Sequence, residues 1–454
     1  MIYRKSFVEL IRLELMNIRR IVAYSILSFV ISASGTYVFL KKVMGKEGVY
    51  NVVDWHIQVR EIKEVGVSLR NDWPARFLKE GKAQKLAINQ ASFGFVQVEP
   101  GNSYIYYTRM DPKPRGFGEE LNNYALYRCK IDGRDNNKLI DLGNVQDIPV
   151  LFGDKGIEKG HLYLVRHNED TNGDNMITYD DPRSIYQCMY NGEKPKKIFS
   201  VDWNYGIQRV SEGERFIAIS TKNAKKPDAF LLEVSNQKKI QMPEGFEIAY
   251  MFFDGKYLIL SSLLEDNSKK FFWYDRLSKR KPQEIRINPE FIADGVVSLL
   301  HVKDLRDKVL YLEKVIDSNK DGKYDYNDNV VIYSINLGAR PKKGQTWEPK
   351  RLTPDNQYSR FFTTSANKFV FYRGTSNNIK SIFVIPPSKE DSIPEPVNLF
   401  NIDPNVIEDS IRFSFNFEYL TYVKFFDYDG DGLILPQKDR GEIFIVHVPL
   451  EDKN

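Results

Sequence analysis

The chain has 454 residues, of which 42% are hydrophobic and 13% aromatic, and its formal net charge at pH 7 is +4. This composition excludes a mostly disordered chain, and the length suits two or three ordinary domains or one large domain built from repeats. Residues 1–47 contain eight basic and three acidic side chains, a net charge of +5, which leaves the rest of the chain near −1. A near-neutral body argues against nucleic-acid binding, which requires concentrated positive charge.

The first element in the chain is an uncharged stretch of twenty residues from Ile21 to Leu40, with two Arg residues before it and two Lys residues after it. A helix of this length crosses a hydrocarbon core of about 30 Å, so the stretch predicts a single transmembrane helix that anchors the protein in a membrane. A cleaved signal peptide and a buried helix are the alternatives. Residues 1–20 are long and amphipathic, which is typical of a tail lying at the membrane interface rather than of a signal peptide.

The basic residues around this span predict its orientation. Five precede the span and three follow it closely. Because cytoplasmic flanks carry the excess of Lys and Arg, residues 1–20 are predicted to be a cytoplasmic tail. The protein is then a single-pass inner (cytoplasmic) membrane protein whose body is periplasmic or extracellular.

Residues 41–88 are predicted to connect the span to the main domain. After a linker over 41–54, residues 55–69 ("WHIQVREIKEVGVSL") alternate between apolar and polar side chains, which is typical of a strand. This strand is predicted to close the main domain by pairing near the C-terminus. Residues 70–88 are predicted to be a surface helix or loop.

From residue 89 to residue 454 the chain repeats a group of short alternating strands. One strand type recurs seven times, from "SYIYYTRM" (103–110) to "YLTYVKFF" (419–426), at intervals of roughly 40 to 60 residues. Each copy is followed by a second alternating strand, a third, short and basic strand follows six of these pairs, and a further strand ending in a tight turn precedes each pair. Four antiparallel strands repeated seven times predict an all-β, seven-bladed β-propeller. Two β-sandwiches in tandem are the alternative, but they do not require the same four strands in every copy.

Two segments of this repeat resemble a known family. "FFDGKYLILSS" (252–262) and "RLTPDN" (351–356) resemble the repeats of TolB-like or WD40-like propellers of bacterial envelopes. The resemblance is one of fold and extends over residues ~90–450. The Ser-Pro-Asp-Gly-Lys turn typical of the family is reduced here to Asp254, Gly255 and Lys256. The resemblance implies a propeller fold.

Three acidic loops follow the second predicted strand of blades two, five and seven, and they are called here the blade-two loop (170–181), the blade-five loop (317–328) and the blade-seven loop (427–439). They match a twelve-residue calcium-binding template with ligands at positions 1, 3, 5, 7 (a backbone carbonyl) and 12. The third loop has one extra residue before its last ligand. The predicted Ca²⁺ ligands are Asp170, Asn172, Asp174, the carbonyl of Met176 and Asp181; Asp317, Asn319, Asp321, the carbonyl of Lys323 and Asp328; and Asp427, Asp429, Asp431, the carbonyl of Leu433 and Asp439.

Position six of such a loop requires a positive φ, which suits Gly322 and Gly432 and is next best for Asn175. The loops resemble EF-hand loops, but they join strands instead of helices and end in Asp instead of Glu. The shorter last ligand predicts the weak affinity of extracellular modules, and the lack of a helix pair predicts structural sites rather than switches. Solvated turns rich in Asp and Asn are the alternative.

Loops between second and third strands all emerge on one face of a propeller. The three acidic loops are therefore predicted to share one rim, beside a long loop of blade one, residues 111–123, called here the blade-one loop. If the N-terminal strand closes the ring as predicted, it enters from the opposite face, and the rim then faces away from the membrane.

No nucleophile elbow, zinc-protease motif, P-loop or dinucleotide fingerprint is present. The histidines are predicted to be scattered over different blades, and two cysteines are too few for a disulfide framework.

The sequence therefore favours a non-enzymatic, membrane-anchored scaffold or protein-binding component of an envelope assembly. One alternative is a propeller-class lactonase, lyase or glycosidase with an ion held in the central channel by several blades. Another is a sensor that passes a signal through the span. The histidines are His56, His161, His167, His301 and His447.

Overall fold

Thirty β-strands, two short α-helices and two 3₁₀ helices, Arg276–Ser278 and Glu408–Ser410, form the regular structure of the residues described by the computed structural model. These residues are 69 and 72–448, with gaps at 92–94, 145–149, 153–160, 168, 203, 212–213, 222–226, 253–254, 264–268, 279, 294, 302–308, 325–327, 338–343, 365–368, 377–378, 388–394, 415 and 435–438. They belong to one compact unit, residues 66–454. The predicted tail, the predicted span from Ile21 to Leu40 and nearly all of the segment 55–69 lie outside the described residues. In the described part of the chain, no helix has the length and apolar character needed to cross a membrane.

The described chain begins with a helix and a strand, and three complete blades follow. Helix α1 is Trp73–Glu80 and strand β1 is Lys82–Ala91. Blade one contains β2 (Val96–Val98), β3 (Tyr104–Met110), β4 (Tyr124–Lys130) and β5 (Asn137–Gly143). Blade two contains β6 (Val150–Phe152), β7 (His161–Arg166), β8 (Arg183–Met189) and β9 (Lys196–Val201). Blade three contains β10 (Tyr205–Val210), β11 (Phe216–Thr221), β12 (Ala229–Glu233) and β13 (Lys238–Gln241).

The remaining blades follow the same pattern with one insertion. Blade four contains β14 (Glu247–Phe252), β15 (Tyr257–Leu263), β16 (Lys269–Asp275) and β17 (Gln283–Glu284). The insertion contains β18 (Arg286–Ile287) and α2 (Pro289–Ala293). Blade five contains β19 (Val296–His301), β20 (Val309–Ile316), β21 (Asn329–Asn336) and β23 (Lys350–Arg351), and β22 (Thr346–Trp347) pairs in parallel with β18. Blade six contains β24 (Tyr358–Thr364), β25 (Val370–Ser376), β26 (Ile379–Ile385) and β27 (Val397–Asn401). Blade seven contains β28 (Arg412–Phe413), β29 (Tyr419–Phe426) and β30 (Arg440–His447).

Each blade is an antiparallel sheet of four strands, and in six of the seven sheets all four strands follow one another along the chain apart from the inserted β22. The prediction of an all-β, seven-bladed propeller is thereby confirmed. The middle strands of the blades are apolar on both faces because alternate side chains pack against the two neighbouring blades. In β11, for example, all six residues are buried. Such strands are consequently rich in Ile, Leu, Phe and Tyr.

The hydrophobic core consists of clusters that each lie between two consecutive blades, and together they join all seven blades into a ring. Blades one and two share a cluster that includes Leu126 and Leu164. Blades seven and one share another, which includes Val423 of β29 and Ile105 of β3. The latter cluster closes the ring, since it packs the last blade directly against the first.

An N-terminal strand completes blade seven, as predicted, but the identity predicted for it is wrong. The fourth place in that sheet is taken by β1, which pairs antiparallel with β30 from Lys82 opposite His447 to Ala91 opposite Gly441. Residues 55–69 were predicted there because they alternate. An outermost strand has no further strand beside it and needs little apolar pattern, and residues 82–85 of β1 are exposed.

Helix α1 lies within the predicted surface segment 70–88, but one of its faces is buried. Trp73 and Phe77 belong to the cluster shared by blades six and seven. The helix ends at Gly81, where a Cβ atom would lie 2.5 Å from the carbonyl oxygen of Phe77. Glycine therefore permits the close turn from α1 into β1.

Candidate calcium loops on one rim of the propeller

The three acidic loops occupy the same place in their blades. The blade-two loop connects β7 and β8, the blade-five loop connects β20 and β21, and the blade-seven loop connects β29 and β30. These are second-to-third strand connections, as predicted. Because the blades are arranged around one axis, the three loops emerge on the same face, which is called here the acidic rim.

In the blade-two loop, the side chains at the predicted ligand positions turn inward onto the backbone of their own loop. The Asp170 carboxylate accepts hydrogen bonds from the amides of Gly173 (2.7 Å) and Asn175 (2.8 Å). Asn172 Oδ1 accepts one from the Asp174 amide (2.9 Å), and Asp174 Oδ1 accepts one from the Met176 amide (2.8 Å). The oxygens at positions one, three and five are thereby directed to the inside of one tight turn.

The other two loops repeat this hydrogen-bond scheme. In each, the position-one carboxylate accepts from the position-six amide, position three accepts from the amide of position five, and position five accepts from the amide of position seven. In the blade-five loop the bonds are Gly322 N to Asp317 (2.9 Å), Asp321 N to Asn319 (2.9 Å) and Lys323 N to Asp321 (2.8 Å). In the blade-seven loop they are Gly432 N to Asp427 (2.9 Å), Asp431 N to Asp429 (3.2 Å) and Leu433 N to Asp431 (2.8 Å).

The last predicted ligand of each loop is a buried aspartate held against the start of its loop. Asp181, Asp328 and Asp439 are all buried. Each accepts a hydrogen bond from the amide at position two, over 2.7 Å from Thr171, 2.9 Å from Ser318 and 2.8 Å from Tyr428. In each loop, a carboxylate just before the third strand is thus held against position two, the neighbour in sequence of the first predicted ligand.

The ionisation of Asp181 suits a cation ligand. Burial acts to raise the pKa of its carboxyl, but hydrogen bonds from the amides of Thr171 and Thr178 outweigh burial and hold the pKa below its ordinary value. The carboxylate is therefore charged at neutral pH, although the side chain is buried.

The blade-seven loop brings three carboxylates close enough to hold one ion. One oxygen each of Asp427, Asp429 and Asp439 lies within 4.8 Å of the others. This separation is about twice the Ca²⁺–oxygen distance of ~2.4 Å, so the three oxygens fit around a single calcium ion. In the other two loops an Asn amide oxygen takes position three, which leaves the donor set all-oxygen and suited to a hard cation.

Two residues of every acidic loop adopt the left-handed backbone conformation. The predicted positive φ at position six is confirmed for Asn175 (66°), Gly322 (79°) and Gly432 (80°). Position four is also left-handed, which the sequence prediction missed although the blade-two and blade-seven loops have Gly there. In the blade-five loop this position is Lys320, at a φ of 61°.

The blade-one loop touches the blade-two loop directly. A parallel bridge pairs Phe117 with Ile177. The Ile177 amide donates to the carbonyl of Gly116 over 2.6 Å, and the Gly118 amide donates to the carbonyl of Ile177 over 3.0 Å. The predicted proximity of the two loops is confirmed, and the contact is made through the backbone.

The histidines in the described residues have separate surroundings. His161 Nδ1 lies 2.7 Å from a Glu214 carboxylate oxygen, and His447 Nε2 lies 3.3 Å from Glu418. His167 is buried, and burial lowers the pKa of its imidazole. His301 is in the innermost strand of blade five, and His56 lies outside the described residues. The two cysteines are buried and not disulfide-bonded.

A buried carboxylate between blades five and six has no counterpart among the predicted site residues. Glu313 of β20 accepts a hydrogen bond from the Phe361 amide (2.8 Å) and lies 3.4 Å from Arg360 Nη1. Burial raises the pKa of its carboxyl to about 7. The only signal in the sequence is an acidic residue inside the apolar strand "VLYLEKVI".

Comparison with solved structures yields β-propellers. The propeller domain of the Trilobed protease from Pyrococcus furiosus, described as having an open velcro topology, aligns with a TM-score of 0.50 and 10% identity over 80% of this chain and 99% of that one. TolB from Acinetobacter baumannii aligns with a TM-score of 0.39 and 14% identity over 76% of this chain and 80% of that one. Prolyl oligopeptidase B from Galerina marginata gives 0.48 and 11% over 80% of this chain and 47% of that one.

In sequence, no protein-family model and no curated protein matches the chain. An identity of 10% to the propeller domain of the Trilobed protease establishes a shared fold and nothing more specific. Here the pairing of β1 with β30 closes the ring. The chain is therefore a closed, seven-bladed, all-β propeller, similar in fold to the propeller domain of that protease.

Proposed function

We propose that this protein is a membrane-anchored, calcium-stabilised β-propeller that serves as a scaffold or protein-binding component of an envelope assembly. In this proposal, Ile21 to Leu40 anchor the chain, and the propeller lies on the periplasmic or extracellular side. The three acidic loops each bind one structural Ca²⁺ ion on the acidic rim.

The shared hydrogen-bond scheme of the three loops is the observation that carries this proposal. Asx turns by themselves account for the bonds of positions three and five, whereas a common ligand also accounts for the buried aspartate that each loop holds against position two. A loop with three or four carboxylates is also electrostatically unfavourable by itself, because like charges at this spacing repel. A divalent cation removes that repulsion, and Ca²⁺ accepts six to eight oxygen ligands.

The kind of calcium site supports the proposed compartment. Aspartate at position twelve reaches less far than glutamate, and strands on both sides leave no helix pair to open. Both features suit sites of low affinity, of the order of 10⁻⁴ to 10⁻³ M, as in extracellular modules. Such sites fill where calcium is abundant, which agrees with the orientation predicted from the charges around the span.

The enzyme alternative requires an ion held in the central channel by residues of several blades. The three carboxylates brought within 4.8 Å of one another in the described residues, Asp427, Asp429 and Asp439, all come from the edge of one blade. This arrangement supports structural sites and favours the scaffold proposal.

Thermal unfolding of the full-length chain in mild detergent, with 5 mM calcium or with a chelator, tests the proposal. With a Kd of ~10⁻⁴ M, each site is expected to stabilise the fold by about 2 kcal/mol at this calcium concentration. The triple variant Asp170→Asn, Asp317→Asn, Asp427→Asn should lose this calcium dependence. Asp180→Asn is the matched control, because Asp180 is an exposed carboxylate of the blade-two loop outside the ligand positions. Equal melting temperatures with calcium and with chelator would show that the loops are solvated turns.

A further inference from the structure

The blade-one loop is built onto the backbone of the blade-two loop. Ile177 stands at position eight of the blade-two loop and exchanges two backbone hydrogen bonds with the blade-one loop, one with Gly116 and one with Gly118. The two preceding residues are Asn175, at the left-handed position six, and Met176, whose carbonyl is the predicted ligand at position seven. The contact with the blade-one loop therefore begins at the residue after a predicted calcium ligand.

The fit between the two loops is close. Gly116 has a φ of 77°, and a Cβ atom at this position would lie 2.5 Å from the carbonyl oxygen of Asn175. Phe117 and Leu121 are buried, and the Leu121 amide donates to the Gly118 carbonyl over 3.1 Å. The second half of the blade-one loop is thus folded around the segment of the blade-two loop that the cation would fix.

Residues 112–115 of the blade-one loop, including Lys113 and Arg115, are exposed. Their side-chain hydrogen bonds are few: Lys113 Nζ donates to the Glu119 carbonyl (2.6 Å), and the Pro112 carbonyl accepts from Asn123 Nδ2 (2.8 Å). Asp111, which precedes them, is held by Arg109, Tyr127 and Lys138. An exposed loop with few apolar contacts opens locally at a low free energy unless its attachment is rigid. Residues 112–115 are thus fixed at one end by Asp111 and at the other by the bridge to Ile177, so their order depends on the rigidity of residues 175–177.

We propose that calcium bound in the blade-two loop orders the blade-one loop, so that the two loops form one calcium-dependent surface on the acidic rim. This inference rests on the proposed calcium sites. A cation coordinated by the Met176 carbonyl fixes the peptide group that contains the Ile177 amide, which donates to Gly116. The blade-five loop is separated from this pair by two blades and provides an internal comparison.

Coupling of this kind is reciprocal. If bound calcium favours the ordered blade-one loop, a change that disorders this loop must weaken calcium binding. A substitution at Gly116 that separates the two loops is therefore expected to weaken calcium binding at the blade-two site, while the sites in blades five and seven keep their affinity.

Limited proteolysis of the full-length chain with trypsin tests the proposal. Arg115 is exposed and its peptide bond to Gly116 adjoins the bridge, whereas Lys113 precedes Pro114 and resists cleavage. Cleavage after Arg115 in the wild-type protein should be at least tenfold slower with 5 mM calcium than with chelator. Asp170→Asn should remove this protection, and the matched variant Asp317→Asn, at the same position of the blade-five loop, should retain it.

Isothermal titration calorimetry with calcium distinguishes absence of the calcium sites from absence of the coupling between the two loops. If the wild-type protein binds no calcium, the proposed sites and this inference are both refuted. If Asp170→Asn loses one site and yet Arg115 is cleaved at the wild-type rate in calcium, the sites stand and the coupling is refuted. Weaker calcium binding at a single site of Gly116→Ala would support the coupling independently, and unchanged affinities would contradict it.

Discussion

Replacing Trp73 with alanine tests whether α1 helps to hold the ring closed. The indole is only 2% exposed, in the cluster shared by blades six and seven. Its ring centroid lies 5.2 Å from that of Phe77, 5.5 Å from that of Phe371 and 6.1 Å from that of Phe413. Trp73→Ala therefore leaves a cavity between the N-terminal helix and two blades.

The size of the effect follows from this burial. A fully buried Trp→Ala change costs about 3–5 kcal/mol, through lost transfer free energy and the remaining cavity. With roughly 380 residues in the propeller, the unfolding entropy is about 0.8 kcal/mol/K, so the melting temperature should fall by about 4–6 °C. The backbone amides of blades six and seven should lose protection from hydrogen exchange together, since both blades line the cavity.

Differential scanning calorimetry of the full-length chain measures this shift. Leu78→Ala is the control, because Leu78 lies on the same helix but is 55% exposed, and its substitution should change stability by no more than about 0.5 kcal/mol. Equal melting temperatures for the two variants would mean that α1 does not stabilise the closed ring, despite its packing.

Three further predictions concern single groups. Because the Glu313 carboxyl has a pKa of about 7 in the folded state, against an ordinary value of 4.5, the folded protein holds a proton that the unfolded chain has released between these pH values. The stability of the wild-type protein relative to Glu313→Gln should therefore fall by ~3 kcal/mol as pH rises through this window, which melting curves from pH 4 to pH 8 would show. Burial raises the pKa of both the Cys129 and Cys188 thiols to about 12, so neither should react with iodoacetamide in the native protein, and rapid native labelling would contradict their burial. Lys320→Gly should stabilise the calcium-free blade-five loop by about 0.5 kcal/mol, by relieving a left-handed lysine, whereas Lys323→Gly should not; equal changes in denaturant midpoint would refute this.

The repeated architecture could be predicted because each blade presents the same group of apolar strands. A strand covered on both faces, such as β11, must be apolar almost throughout, and seven such strands at similar spacing are visible without any structural information. The positions of the acidic loops followed from the same repeat, and the left-handed Gly322 and Gly432 followed from the loop template.

Features that depend on contacts between distant parts of the chain could not be predicted in this way. β1 carries little apolar pattern, since it is the outermost strand of its sheet, and only its partner β30 identifies it. The burial of Trp73 depends on two blades that are more than 290 residues away in the chain. The attachment of Phe117 to Ile177 likewise requires two neighbouring blades to be in place.

The direction in which the chain enters the propeller was predicted correctly even though the closing strand was misidentified, and the reason lies in the geometry of blade seven. The C-terminal end of the chain supplies three strands, which leaves only the place beside β30. Any strand that takes this place antiparallel to β30 must begin beside His447, at the end remote from the blade-seven loop, and finish beside Arg440, where that loop ends. β1 therefore starts on the face opposite the acidic rim. Within the propeller, the face of entry is determined by the number of strands in the last blade and not by the sequence of the strand that completes it.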